Sequence, residues 1–143
     1  MTSDFGVGVH ALVYLNHKRE HQSSEQLAEN ICTNPARVRK IMAQLKKAGL
    51  VETREGGGGG YFFTLSPERV SLRQVADALE VRFVSVAKRS GDVDRDCQIS
   101  SGMGQLMDGL YEELDRDCRA RLQNITIKDI DRRIFEPTGK ELL

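Results

Sequence analysis

Residues 23–61 read SSEQLAENICTNPARVRKIMAQLKKAGLVETREGGGGGY. Two short helical patterns joined by a polar link precede five consecutive glycines. Ser23 and Gln26 have the Ser-x-x-Gln spacing of a capping box, so a helix over Ser24–Asn30 is expected. Asn34 and Pro35 open the next helix. The asparagine side chain can accept from its first free amides, and proline loses nothing at a position whose N–H has no intrahelical partner. Val38, Ile41, Met42 and Leu45 then recur at helical spacing as a buried stripe, against which Leu27, Ala28 and Ile31 of the preceding helix can pack. The opposite face carries Arg37, Arg39, Lys40, Gln44 and Lys47, and no acid occurs between Asn34 and Glu52. Ala48-Gly49 ends the helix, glycine being the usual residue for a left-handed exit.

A basic helix face is most often a solvated surface. Here it is followed by strand patterns over Val51–Thr53 and Tyr61–Thr64 on either side of the glycines. Helix, turn, helix and hairpin in that order define a winged helix-turn-helix, whose second helix lies in the DNA major groove. Arg37, Arg39, Lys40 and Gln44 are expected to face bases and phosphates. Ser23 and Ser24, with the wing from Gly56 to Gly60 (Gly57, Gly58 and Gly59 among them), are expected to grip backbone, and Asn34, Arg54 and Tyr61 are expected to belong to the same DNA-binding surface. A nucleotide-binding glycine loop is the rival reading of Gly56–Gly60, but it requires a Lys-Ser/Thr pair and a helix afterwards. Tyr61-Phe62-Phe63 follows instead.

The 143 residues, 39% apolar and 29% charged, suit one domain or a small domain with an extension. Twenty-one basic and 21 acidic residues cancel, so affinity for a polyanion has to come from a local patch, which Arg37–Arg54 supplies. No apolar run approaches the roughly 18 residues of a membrane span, and no basic-then-apolar leader opens the chain. The expectation is a cytoplasmic protein without membrane association, in which Cys32, Cys97 and Cys118 are reduced thiols. His10, His17 and His21 lack partners at metal-ligand spacing, so no metal ligands are assigned. No Ser-His-Asp order, carboxylate pair or nucleotide motif emerges, so no catalytic residue is assigned and an enzyme is disfavoured.

Outside the central stretch, Phe5–Leu15 reads as a helix with Phe5, Val9, Leu12 and Val13 on one face. Ser66-Pro67 breaks the strand, and Ser71–Leu79 forms a helix with Leu72, Val75, Ala76 and Leu79 inward. Lys88–Gly102 loses periodicity and reads as a flexible loop. From Met103 to Asn124 a long helix carries Met103, Leu106, Leu110, Leu114, Cys118, Leu122 and Ile125 as one stripe. A two-fold dimer explains such a stripe, because a palindromic duplex site needs two reading helices about 34 Å apart. Thr126–Arg133 suggests a last short helix, and Pro137–Leu143 a frayed end. The expected fold is mainly α with a small β-hairpin. It comprises a winged helix-turn-helix domain over 1–82, a flexible loop with Cys97 over 83–102, a dimerisation helix and short helix over 103–134, and a frayed tail over 135–143.

The chain resembles the Rrf-two family of bacterial winged helix-turn-helix transcription regulators. The matching words are Ala48-Gly49-Leu50-Val51, Gly59-Gly60-Tyr61, Ser71-Leu72-x-x-Val75 with Ala78-x-Glu80, and Thr126-Ile127-Lys128-Asp129-Ile130. The resemblance implies a homodimeric repressor of double-stranded DNA, and it includes iron–sulfur, nitric-oxide and cysteine-metabolism regulators. Two departures stand out. The wing opens with Glu55-Gly56 where members carry Arg-Gly, Arg54 lying one residue earlier. The three closely spaced cysteines of cluster-binding members are reduced to Cys97, which implies no iron–sulfur cofactor.

Cys118 falls on the apolar stripe and reads as core. Cys32 precedes a helix start near Arg37 and Arg39, and Cys97 lies in the loop beside Asp94, Arg95 and Asp96. Two readings stand for this pair: inert thiols, or a sensor in which oxidation joins Cys32 to Cys97, within a subunit or across the dimer, and shifts the reading helices. A regulator switched by a small-molecule or protein ligand between wing domain and long helix is the alternative.

Overall fold

In the computed structural model, which describes residues 3–136, the stripe of the second helix of the pair forms the centre of the core. α1 (Asp4–Lys18) and α2 (Ser24–Ile31) pack on α3 (Pro35–Lys47), whose Val38, Ile41, Met42 and Leu45 are all but sealed from solvent. Leu12, Leu15 and Leu27 close the same core, and α4 (Leu72–Ala78) adds Leu72, Val75 and Ala76. Leu79 follows at the α4 cap. The sequence's helical spacing thus identifies the core residues. Its boundaries are less exact, since α1 begins at Asp4 and runs on to Lys18.

The hairpin pairs β1 (Glu52–Arg54) antiparallel with β2 (Gly60–Phe62), in the register Glu52 with Phe62, Thr53 with Tyr61 and Arg54 with Gly60. The expected strands ran over Val51–Thr53 and Tyr61–Thr64. Val51 and Phe63 instead leave the ladder and bury in the core. A third partner is Gln22, in the link between α1 and α2. Its amide donates to the Tyr61 carbonyl at 3.0 Å, and the Tyr61 amide donates back at 2.8 Å. The wing is therefore anchored to the head through β2.

A single 3₁₀ turn (Pro67–Arg69) leads to α4. Ser71 and Gln74 close a capping box there, and Thr126 and Asp129 close another ahead of α6 (Ile127–Phe135). Ser71 and Thr126 also form an antiparallel bridge, with the Leu72 amide donating to Ile125 and the Ile127 amide to Val70. This bridge returns α6 to the head, where Ile127 is fully buried and the helix lies along α1.

α5 (Gln98–Leu122) corrects the expected loop over 83–102, because residues 98–102 belong to its first turns and Cys97 is its N-cap. The segment before it folds back along the helix. The Asp92 amide donates to the Ser100 carbonyl at 3.0 Å, and Arg89 pairs with Asp108 at 3.1 Å. Residues 137–143, most of the expected frayed tail, lie outside the described residues, whereas Phe135 ends α6.

The long helix is fixed to the head by a polar latch. Asp115 is 8% exposed and accepts from the amides of Phe83 at 2.7 Å and Val84 at 3.0 Å. Arg119, one turn along, donates to Asp115 at 3.2 Å, to Asp77 on α4 and to the Val81 carbonyl, and stands over the Phe83 ring. Burial alone would raise the Asp115 pKa. The amides of Val84 and Phe83 and the Arg119 guanidinium outweigh it and hold the carboxyl below its ordinary range.

A folded-state value below the unfolded one means the latch stabilises fully above about pH 4 and is lost as pH falls through the lowered value. Asp115→Asn is expected to cost about 1–3 kcal/mol in urea unfolding at pH 7. The gap to wild type should narrow in acid, and a gap of equal size at pH 7 and at about pH 3 would contradict the role of the charge.

Candidate nucleic-acid interface

The outward face of α3 has a clear chemical character. Ala36, Arg39, Lys40, Ala43, Lys46 and Lys47 are exposed, and Gln44 is half-buried at its edge. Asn34 caps the helix by accepting from the Arg37 amide at 2.8 Å, as its position before Pro35 predicts. The capping box of Ser23 and Gln26 likewise closes the start of α2. Ala36 and Ala43 were not singled out in the sequence, although their seven-residue spacing places both on the polar face. Small side chains there let the helix backbone approach base edges, and an alanine methyl can meet a thymine methyl.

Several expected contact residues are committed to other work. Arg37 turns toward α1, where its guanidinium donates to Asp4 at 2.9 Å and to Ser3. It joins α1 to α3 at the flank of the cationic face. Ser24 is buried, with its hydroxyl donating to Glu25 at 3.2 Å and accepting from Arg39 at 3.3 Å. Tyr61 packs partly into the core. Lys46 donates to Thr53 at 2.8 Å and so ties α3 to the wing.

The five glycines have separate tasks. The Gly59 amide donates to Gly56 at 3.0 Å, and Gly58 has φ +78°, as the third residue of a type II turn requires. A Cβ on Gly59 would lie 2.1 Å from the Arg54 carbonyl, and one on Gly60 would lie 2.5 Å from that of Gln22. Gly59 is therefore held by hairpin closure, and Gly60 by the Gln22 bridge. Gly57 meets nothing and with Gly58 forms the exposed tip, beside which Arg54 at the end of β1 is also exposed.

The long helix presents its stripe to solvent. Ile99 is 71% exposed, Leu106 68%, Leu110 43% and Leu114 42%, while Cys118, expected in the core, is only half-buried. No described helix is long and apolar enough to cross a membrane. Cys32 and Cys97 are exposed free thiols. Cys32 caps the C-terminal end of α2, just before α3, with its Sγ 3.7 Å from the Glu29 carbonyl. No side-chain hydrogen bond closes the Cys97 cap, yet the amides of Ser100 and then Ile99 hold its thiol below the usual range.

A hairpin braced beside a cationic, acid-free helix, with an apolar arm beyond, defines a winged helix-turn-helix regulator. The family profile described as "Rrf2: Iron-dependent Transcriptional regulator" matches residues 1–133, and the chain belongs to that family. It is a DNA-binding transcription regulator and not an enzyme. A Bacillus subtilis protein described as an HTH-type transcriptional regulator, YwnA, is 26% identical over 135 residues, covering 94% of this chain and 99% of that one. The crystal structure of a transcriptional regulator from Lactobacillus plantarum superposes with TM-score 0.81 at 26% identity, over 95% of this chain and 92% of the other. T. potens IscR shares the fold, with TM-score 0.69 at 19% identity over 99% and 92% of the two chains.

An iron centre of the kind the family description names needs several donors converging on one point. Among the described residues no group of three or more His, Cys, Asp or Glu side chains converges. Cys97 and Cys118 stand 21 residues apart along α5, roughly 30 Å at the helical rise. Cys32 is on another element at the end of α2. These thiols do not fit one cluster within a chain.

Gly60→Ala is expected to lower stability by about 1 kcal/mol or more, since it strains a φ of +138° and strikes the Gln22 backbone. Gly57→Ala should stay within about 0.5 kcal/mol of wild type. Thermal melts of both variants compare the sites, and equal losses would show that the bridge to Gln22 is not the constraint.

Proposed function

We propose that the protein is a homodimeric, sequence-specific repressor of a palindromic duplex site. The observation that carries this reading is the exposed, acid-free face of α3 beside a braced wing. Arg39, Lys40 and Gln44 meet bases and phosphates, with Lys47 on the same face. Ser23 and Asn34 at helix starts, and Arg54, Gly57 and Gly58 of the wing, hold the sugar–phosphate backbone. Arg37, Ser24, Gly59 and Tyr61 serve this face indirectly through the contacts described above. Self-association supplies the cover for the exposed stripe of α5, and a C2 interface sets two copies of α3 at half-site spacing.

The signal is assigned to the thiols. Both Cys32 and Cys97 are accessible, and Cys97 begins the helix that carries the dimer stripe. A peroxide would take two electrons and two protons from the pair, forming one S–S bond and water and turning α5 relative to the head. One observation favours a second reading, a small apolar effector. A groove of about 480 Å³ lies between α1 and α6, lined by Phe5, Val9, Val13, Tyr14, Ile130 and Phe135, within the size range of ligand pockets. Release of DNA by an effector from a Cys32→Ser/Cys97→Ser variant would favour the groove over the thiols.

Selection from a random duplex library gives the site for affinity measurement. Arg39→Ala should cost about 1–3 kcal/mol on the selected duplex and little on scrambled DNA. Equal loss on both would reject base reading. Leu110→Glu with Leu114→Glu should give a monomer in sedimentation and abolish specific binding. A folded dimer of that variant would reject α5 as the interface.

A further inference from the structure

Arg39 and Glu25 form a contact that the sequence did not suggest, because they lie on different helices 14 residues apart. The Arg39 Nη1 stands 3.5 Å from Glu25 Oε1 and donates to the Ser24 hydroxyl at 3.3 Å. That hydroxyl donates to Glu25 Oε2 at 3.2 Å, so the three side chains close a loop. Glu25 lies in the first turn of α2, where the helix dipole favours its negative charge. Ser24 is buried and supplies a fixed point.

The loop engages Arg39 through one terminal nitrogen. Among the described residues Nε and Nη2 have no hydrogen-bond partner, and the side chain is 54% exposed. A guanidinium held in this way retains a free two-donor edge, the geometry that pairs with O6 and N7 of guanine. An exposed ion pair of this kind adds little to stability. It still restricts which rotamers Arg39 samples, and it places a carboxylate where a phosphate would otherwise neutralise the same charge. Selectivity arises from this opposition as well as from the attractive contact.

We infer that Glu25 is a positioning residue that aims Arg39 at a guanine in the duplex and turns it away from phosphates. This rests on the DNA-reading role of α3 proposed above. The neighbouring cations Lys40 and Lys47 have no salt bridge among the described residues, so no acid fixes their direction in the same way.

The test uses the full chain and the duplex selected by the wild type, with every base pair varied singly. The wild type should show one guanine position where substitution costs about tenfold or more. Arg39→Ala should flatten that position. Glu25→Gln should bring it to within about twofold, with equal or higher affinity for scrambled duplex and an unchanged melting temperature. Ser24→Ala, which cuts the loop from the other side, is read in parallel, and the Glu25→Gln/Arg39→Ala double variant should match Arg39→Ala. Full discrimination retained by Glu25→Gln would overturn the inference. So would a loss spread evenly over all positions, or Arg39→Ala leaving every position unchanged. A wild type that selects no sequence would overturn the DNA-reading proposal itself, which separates the two failures.

Discussion

The angle between the winged head and the long helix rests on Asp115 and Arg119. Asp115 takes the amides of Phe83 and Val84 just after the chain leaves the head. Arg119 spans back to Asp77 and to the Val81 carbonyl. Such charge-assisted bonds are directional as well as strong, so they set orientation where an apolar contact would permit sliding. α6 reinforces the arrangement by returning to α1 through the Ser71–Thr126 bridge. Head and arm are thus joined at two places, by side-chain charge and by backbone pairing.

Within the head, the same economy governs the basic residues. A helix face rich in arginine is not uniformly available to DNA, because each guanidinium competes between its own protein's acids and an external anion. Arg37 is occupied by Asp4 and Ser3, Arg39 is tethered but open, and Lys40 is exposed. The wing shows the parallel case for glycine. Gly59 and Gly60 are required by close backbone approach, and Gly57 by nothing the structure shows. A run that looks like one flexible element is therefore a rigid hairpin base carrying a small free tip.

Local signals account for much that was legible. The stripe Val38, Ile41, Met42 and Leu45, the Asn34-Pro35 start and the Ser23–Gln26 box depend on neighbours three or four residues away, and each forms as its spacing predicts. Two further capping boxes at Ser71 and Thr126 carried the same kind of signal and were missed. The long helix reaches back into the expected loop over 83–102 for a physical reason. Gln98–Gly102 is polar and glycine-bearing, and its helix is held from outside by Asp92 on Ser100.

By itself the sequence determined the helices, the hairpin, the buried stripe and the cationic face of α3, because periodicity, caps and charge are written in short spacings. Tertiary structure alone decided which cations remain free and where the wing is anchored. It also joined the arm to the head. Those outcomes depend on pairs such as Asp4 with Arg37, Gln22 with Tyr61 and Asp77 with Arg119, which only folding brings within hydrogen-bond range.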